Sequence, residues 1–132
     1  MKKIDLHIHT KKSISDNDFE FSIEKLKEYI EKLSIDCIAI TNHNLFDKAQ
    51  FEFISSSVEI KVLPGIEINI EKGHLLLIQE NSELEDLDVK CKEIGKLINN
   101  PSDYISIDKL KEIFGDLSRY LLIPHYGKNP II

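Results

Sequence analysis

The sequence predicts an α/β fold built from strands that alternate with helices. Five short apolar runs have the length and composition of strands, and the segments between several of them repeat apolar residues every three or four positions. Because this alternation is typical of βαβ units, we expect a parallel sheet. The 132 residues fit a single domain, 1–132, and 42% of them are hydrophobic, which is enough for a core.

The first strand is expected at residues 3–9, where apolar and polar residues alternate. Successive side chains of a strand point to opposite faces of the sheet. One face would therefore carry three aliphatic residues and the other three polar residues: Ile4, Leu6 and Ile8 against Asp5, His7 and His9.

A helix of about three turns is expected after this strand, because apolar residues recur there at helical spacing. Ser22 is a suitable N-cap, and Glu24 suits the first turn. The apolar positions of the helix are Leu26, Tyr29, Ile30 and Leu33.

The second strand is expected at residues 36–41, a nearly continuous apolar run. Such a run is typical of a strand that is covered on both faces. Asp47 and Gln50 then frame a short helix that extends through Ser55.

Three further apolar runs complete the set of strands. They lie at residues 59–70, with a break expected at Pro64-Gly65, at 74–79 and at 119–123.

Two more helices are expected in the second half of the chain. Ser82 and Glu85 form a capping box for the first of them, and the Asn-Asn-Pro sequence at 99–101 ends it. The second is shorter, at 107–114, and ends at Gly115.

Five histidines share one feature, because each lies at or just past one end of an apolar run: His7, His9, His43, His74 and His125. Histidine is the commonest metal ligand among side chains, and active sites of barrels and open α/β sheets are built at strand ends. His7 and His9 are two residues apart on one strand, so both imidazoles can reach one ion. The alternative is an exposed edge strand that carries two histidines.

One acidic residue interrupts an apolar segment. Glu67 lies between Ile66 and Ile68, and a carboxylate buried there needs a cation. A carboxylate that bridges two metal ions would meet this need, and a buried salt bridge is the alternative. Asp16, in the polar loop 13–18, and His43, each taken alone, would be ordinary loop residues.

The nitrogen and oxygen ligands of this set suit Zn²⁺, Mn²⁺ or Fe²⁺ better than Ca²⁺ or Mg²⁺. The sequence does not choose among the three metals. Lys11, Lys12 and Lys128 lie near the metal motifs and could contact a substrate phosphate, although solvated surface lysines are the simpler interpretation.

Several other chemistries find no support in the sequence. It contains no G-x-S-x-G elbow, no P-loop and no G-x-G-x-x-G. Cys37 and Cys91 form no C-x-x-C pair, which indicates reduced core cysteines in a cytoplasmic setting. Neither a signal peptide nor a membrane-spanning run is visible. The net charge of −6 argues against broad contact with nucleic acid, but not against a nucleotide or phosphate at a metal site.

Four motifs occur in a fixed order: DLHIHT, ITNHN, PGIEIN followed by GHLLLI, and IPHYGKNP. In this set the chain resembles the PHP family, named for polymerase and histidinol phosphatase. The resemblance implies a distorted TIM-like (β/α)7 barrel with two to three divalent metal ions. It also implies hydrolysis of phosphate esters, with a metal-bound hydroxide as the nucleophile.

The resemblance also implies a role for each ligand. His7 and His9 would hold one metal ion, and Glu67 would bridge it to a second. His74 and His125 would complete the second site, and the third would use Asp16 and His43: these seven residues are the predicted ligands. Glu67 and His43 are the predicted catalytic residues, and Lys11 and Lys128 the predicted substrate contacts.

The chain departs from the family pattern at two places. Asn42 stands where the family usually has Asp, a change expected to alter His43 beside it. The final Asp-x-His motif is absent, so we expect an incomplete barrel, which is either the N-terminal part of a longer protein or a reduced form of the family. Its open edge would be covered by a missing C-terminal segment or another copy.

The substrate implied is a phosphorylated small molecule, a nucleotide or a nucleic-acid end. The alternative is a non-catalytic PHP-like sensing or docking module of a larger assembly, for example one linked to an ATPase. A mononuclear hydrolase that acts on C–N bonds is disfavoured, because no lysine is placed to form a bridging carbamate.

Overall fold

The computed structural model describes residues 2–14, 16, 19–81 and 83–125. Within them, five strands form one sheet in the order β1-β2-β3-β4-β5. The strands are β1 (Ile4–Ile8), β2 (Cys37–His43), β3 (Lys61–Ile70), β4 (Gly73–Ile78) and β5 (Leu121–His125). The helices are α1 (Ile23–Leu33), α2 (Lys48–Ser57), α3 (Leu84–Leu97) and α4 (Ile107–Phe114). A short 3-10 helix, Leu117–Arg119, precedes β5.

Side-chain caps begin the first two helices as predicted. The Ser22 side chain accepts a hydrogen bond from the Lys25 N–H at the start of α1. Asp47 accepts from the Gln50 N–H at the start of α2. The predicted bounds of α4 and its end at Gly115 are also confirmed.

The start of α3 differs from the prediction. Glu83 holds the N-cap position and makes no side-chain cap bond. Glu85, the expected second member of the capping box, instead pairs with Lys48 of α2. Ser82, the first member of the predicted capping box, lies outside the described residues.

The sheet is mixed, so the expectation of a purely parallel sheet was wrong. β1, β2 and β3 are parallel, whereas β4 is antiparallel to both of its neighbours. The reason is the connection between β3 and β4, which is only Glu71 and Lys72 long, with Lys72 in the left-handed region at φ 64°. A parallel pair needs a crossover of about a dozen residues or more, so this turn allows only a hairpin.

The break expected at Pro64-Gly65 is also absent, because β3 pairs continuously with β2 through both residues. Gly65 is required there by close packing. A Cβ at this position would lie 2.6 Å from the Leu77 carbonyl oxygen of β4. This glycine therefore lets two neighbouring backbones approach, and does not interrupt the strand.

A β-bulge in β1 interrupts the alternation that the sequence predicted for this strand. The register with β2 shifts between Asp5 and Ile8. Leu6 consequently packs with Ala39, whereas Ile8 packs with the helix-side cluster around Ile38. The extra residue of a bulge changes which face the side chains on either side of it occupy.

The sheet is curled. β1 and β5 are its two edge strands, yet the rings of His7 and His125 lie only 4.7 Å apart. In a flat sheet four strand spacings would separate these strands by about 19 Å. The helices pack on the outer side, against two larger apolar clusters. A smaller cluster fills the inner side, formed by Ala39, Leu76 and Ile78 with Leu6, Leu63 and Ile123. The predicted α/β fold, an incomplete TIM-like barrel, is confirmed.

None of the helices among the described residues has the length and apolar character needed to cross a bilayer.

Candidate metal centre

Strand direction explains why the histidines meet. β1, β2, β3 and β5 run in one sense, so their carboxyl ends share one edge of the sheet. β4 runs in the opposite sense and brings its first residues to that edge. His43 and His125 are therefore the last residues of their strands, whereas His74 is the second residue of β4. In the register, His43 is opposite Glu67 and His74 is opposite His125.

Glu67 lies at the centre of this edge and is 1% exposed. Its Oε1 atom is 3.0 Å from His7 Nε2 and 2.8 Å from His9 Nε2. Its Oε2 atom is 3.1 Å from His74 Nδ1 and 3.9 Å from His125 Nε2. Each carboxylate oxygen thus faces a different pair of imidazoles, which is the arrangement that a bridging carboxylate needs.

The five imidazoles form a closed ring around this carboxylate. Successive ring centroids are 4.7 to 5.9 Å apart, in the cyclic order His7, His9, His43, His74 and His125. The predicted histidines are therefore all brought together.

Asp16 joins the ring from the loop after β1. Its Oδ1 atom is 3.2 Å from His9 Nδ1 and 3.5 Å from His43 Nδ1. Its Oδ2 atom accepts hydrogen bonds from the backbone N–H and the hydroxyl of Ser13. Partial burial favours the neutral acid, but the Ser13 hydrogen bonds and the nearby histidines outweigh it and lower the pKa of Asp16.

Among the residues that the structure describes, two groups of three have ligand atoms close enough to hold one ion each. They are His7, Glu67 and His125, and His43, Glu67 and His74, with the ligand atoms of each group within 4.8 Å of one another. Glu67 belongs to both groups. These groups pair the histidines differently from the family resemblance, which placed His7 with His9 and His74 with His125.

The electrostatics of the centre fit cations. Burial opposes ionisation of Glu67, but hydrogen bonds from His9 and His7 and the nearby His43 lower its pKa to about 2. Every ion pair of Glu67 within the described residues is with a histidine. A buried carboxylate among imidazole nitrogens is a donor set for borderline divalent metals, so the residues present fit Zn²⁺, Mn²⁺ or Fe²⁺.

Two histidines have opposite pKa shifts. Burial lowers the pKa of His9, but its contacts with Glu67 and Asp16 outweigh burial and raise it. Burial dominates at His74 and lowers its pKa, which favours the neutral ring that can bind a metal.

The Asn42 side chain binds the loop after β1. Its Oδ1 accepts from the N–H groups of Thr10 and Lys11, and its Nδ2 donates to Thr10 Oγ1. His43 Nε2 contacts Asn69, and an effect of Asn42 on His43 stays a prediction.

Two lysines, Lys11 and Lys128, were predicted to contact a substrate. Lys11 Nζ lies 2.6 Å from Asp47 Oδ2, in an ion pair with the N-cap of α2. Lys128 lies outside the described residues. Substrate contact by either lysine stays a prediction.

The sequence reasoning missed two buried asparagines, Asn44 and Asn69. The Asn44 N–H donates to the Glu67 carbonyl, and its Oδ1 accepts from the Asn69 N–H. Asn69 contacts His43 directly. One signal could have revealed Asn69, because a polar residue two positions after Glu67 on an apolar strand shares its face.

Known proteins provide an independent comparison. A family model for the PHP domain matches residues 5–121. The chain belongs to the PHP domain family. The resemblance carried by the four motifs is therefore confirmed. No curated protein matches the chain significantly.

Two solved structures are similar to this chain. An amidohydrolase from Chromobacterium violaceum, with bound sulfate and no metal, matches at 19% identity and a TM-score of 0.50, over 72% of this chain and 34% of its own. A protein from Bifidobacterium adolescentis, provisionally named a metal-dependent phosphoesterase, matches at 20% identity and a TM-score of 0.46, over 70% and 32%. This PHP domain thus spans about a third of the structures it matches.

Proposed function

We propose that this PHP domain carries the metal centre of a metal-dependent hydrolase that cleaves phosphate esters. The observation that supports the proposal best is buried Glu67, which belongs to both groups of three residues whose ligand atoms lie within 4.8 Å of one another. The substrate would be a phosphorylated small molecule, a nucleotide or a nucleic-acid end.

Two ions would share Glu67, one with His7 and His125 and the other with His43 and His74. Asp16 and His9 would hold a third ion or support the first two. When bound, divalent ions supply Lewis acidity, which lowers the pKa of water and neutralises charge on phosphoryl oxygens. The chain itself supplies a fixed anion, Glu67, and, at His74, an imidazole whose burial lowers its pKa and favours the neutral form.

The test of metal binding is elemental analysis of protein purified without chelators or affinity nickel. We expect two or more equivalents of Zn, Mn or Fe, lost in Glu67→Gln. Glu71→Gln is the matched control, because Glu71 directly follows the same strand, β3, and is exposed. Metal retained in Glu67→Gln, or less than one equivalent in the unaltered protein, would contradict the proposal.

The test of the reaction is a panel of aryl phosphate monoesters, phosphodiesters and aryl amides, assayed with each metal added back. Release of inorganic phosphate or alcohol from the esters alone supports phosphoesterase activity. Cleavage of the amides alone would replace it with C–N hydrolysis. Metal binding without turnover of any class would favour the sensing or docking module.

We further propose that the open edges of the sheet are covered, by a C-terminal segment or by another copy of the chain. Ile4 on β1 and Leu121 on β5 are 59% and 40% exposed, and unpaired edge strands are prone to association. Light scattering combined with hydrogen exchange would test this. A dilute monomer in which the β1 amides exchange slowly would contradict coverage by a second copy.

A further inference from the structure

The orientation of one buried amide is fixed by its surroundings. Asn69 is 5% exposed, and its Nδ2 group donates to the carbonyl oxygens of Asp103, at 3.0 Å, and Pro101, at 3.4 Å. Carbonyl oxygens only accept hydrogen bonds. Rotating the amide by 180° would place Oδ1 against both of them, so Oδ1 must point the other way, towards His43.

The backbone of Asn69 is held as firmly as its side chain. Its N–H donates to Asn44 Oδ1 at 2.9 Å, and its carbonyl accepts from the Ile105 N–H at 3.0 Å. The loop that supplies the two carbonyls is itself ordered, because Asp103 Oδ2 accepts from the N–H groups of Asn99 and Asn100. The amide therefore cannot turn to suit a different partner.

The fixed amide determines the tautomer of His43. Asn69 Oδ1 lies 2.9 Å from His43 Nε2, and since Oδ1 carries no hydrogen, Nε2 must carry one. A neutral imidazole has one N–H and one lone pair. The lone pair is therefore on Nδ1, the nitrogen 3.5 Å from Asp16 Oδ1.

We infer that Asn69 is a positioning residue that holds His43 as the Nε2–H tautomer, which makes Nδ1 the metal-binding atom. The inference rests on the proposed metal function. A ligating histidine usually donates its other ring N–H to a fixed acceptor, which sets the tautomer and the ring orientation. Here the acceptor is the neutral amide of Asn69 on β3, which is held by two carbonyls of the loop between α3 and α4.

The neighbouring carboxylate, Asp16, determines which tautomer of His43 we expect when Asn69 is removed. Asp16 Oδ1 faces His43 Nδ1 and would attract a proton to that nitrogen, which would then be unable to bind a metal. Asn69 opposes this attraction from the other side of the ring. Without Asn69, the tautomer of the metal-free protein should move towards Nδ1–H.

The test is a long-range ¹H–¹⁵N correlation spectrum of metal-free protein with ¹⁵N-labelled histidine, recorded at alkaline pH. His43 is assigned by the loss of its signals in His43→Gln. We expect the Nε2–H pattern in the unaltered protein and a shift towards Nδ1–H in Asn69→Ala. An Nδ1–H pattern in the unaltered protein, or an unchanged pattern in Asn69→Ala, would overturn the inference.

Two further variants separate positioning from general damage. Asn69→Asp loses both bonds to the loop carbonyls but keeps an acceptor for His43, so it should retain the Nε2–H pattern. Asn42→Ala removes a buried asparagine whose side chain also makes three hydrogen bonds, with none to a histidine, and should leave the pattern unchanged. A shift in Asn42→Ala equal to that in Asn69→Ala would assign the effect to lost stability and overturn the inference.

Zn²⁺ affinity, measured by competition with a chromogenic chelator, provides the second readout. We expect Asn69→Ala to bind roughly 10- to 100-fold more weakly, with a smaller loss in Asn69→Asp. Unchanged affinity in Asn69→Ala would show that His43 Nδ1 is not a ligand. If the unaltered protein has the Nε2–H pattern but binds no Zn²⁺, Mn²⁺ or Fe²⁺, the proposed function fails, whereas the tautomer assignment stands.

Discussion

The inner face of the curled sheet has two halves that differ in chemistry although the same strands build both. Towards one end, Ala39, Leu76 and Ile78 form an apolar cluster. On β2, the inward position four residues after Ala39 is His43. On β4, the inward position two residues before Leu76 is His74. Because inward residues recur at every second position, a step of two residues changes the chemistry and keeps the face.

The halves differ in what holds them together. The apolar half needs only close packing, and Gly65 makes room in it for Thr41 and Ile78. The polar half needs a partner for every buried group, and several of these partners lie outside the sheet, in the loops that contain Asp16 and Asp103. The polar half therefore depends on loops outside the sheet, whereas the apolar half depends on packing between the strands.

The largest expected effect is on catalysis, and it should be confined to the polar half. Glu67→Gln should reduce phosphate-ester hydrolysis more than about 100-fold, because loss of a shared ligand should exceed the effect of losing a supporting contact. Ile78→Val is the comparison variant. It removes one methyl group from the apolar half and should retain activity per folded molecule. Equal loss in both variants would show that the two halves are not separable.

The second effect is on stability, and it should be confined to the apolar half. Ile78 is fully buried, so Ile78→Ala should reduce the free energy of unfolding by about 2–5 kcal/mol. Val89→Ala on α3, where the side chain is 61% exposed, should change it by less than about 0.5 kcal/mol. Urea denaturation measures both, and a small effect at Ile78 would mean that the half-barrel interior is loosely packed.

The third effect is a pH dependence of the metal-free protein, measured with chelator present. The Glu67 pKa falls from 4.5 to about 2 on folding, so its contribution is present above pH 4.5 and is lost as the pH falls towards 2. That shift corresponds to roughly 3 kcal/mol. The His9 pKa is raised, so its contribution is present below pH 6.5 and is lost at higher pH. The stability difference between the unaltered protein and Glu67→Gln should therefore peak between these two values.

A difference that stayed constant from pH 3 to pH 9 would show that Glu67 is not paired with histidines in the metal-free protein. Glu71→Gln serves again as the control, because an exposed carboxylate should leave the pH profile unchanged.

The smallest effect tests the close approach at Gly65. Gly65→Ala should destabilise the protein by about 1–3 kcal/mol, because its Cβ would meet the backbone oxygen of Leu77. Gly95→Ala is the matched control. Its Cβ would have no neighbour within 4 Å, and alanine in the last turn of α3 should stabilise the helix by up to about 0.5–1 kcal/mol. In thermal unfolding, we expect a lower Tm for Gly65→Ala and a higher Tm for Gly95→Ala.

The sequence was most informative where one local interaction decides the structure. Ser22 and Asp47 cap their helices as expected, and Gly115 ends α4. The positions of the histidines at run ends were sufficient to predict that they meet. His74 also carried an unused signal, because a histidine that opens its run can join the others only on a reversed strand.

The remaining features depend on contacts between distant residues. The bulge before Ile8 follows from pairing with β2, and Gly65 is explained only by the β4 backbone beside it. Asn69 resembles any polar residue in a strand until the carbonyls of Pro101 and Asp103 are seen next to it. Such long-range partners leave no periodic pattern in the sequence.

The proximity of His7 and His125 has a consequence for chain entropy. An ion held by these two histidines and Glu67 would join the first strand to the last, and so close a loop that contains nearly the whole described chain. A covalent cross-link over a loop of about 100 residues removes roughly 4.7 kcal/mol of conformational freedom from the unfolded state in the chain-entropy model. The ion would act in the same way, so a ligand set suited to hydrolysis would also limit how far the open sheet can spread.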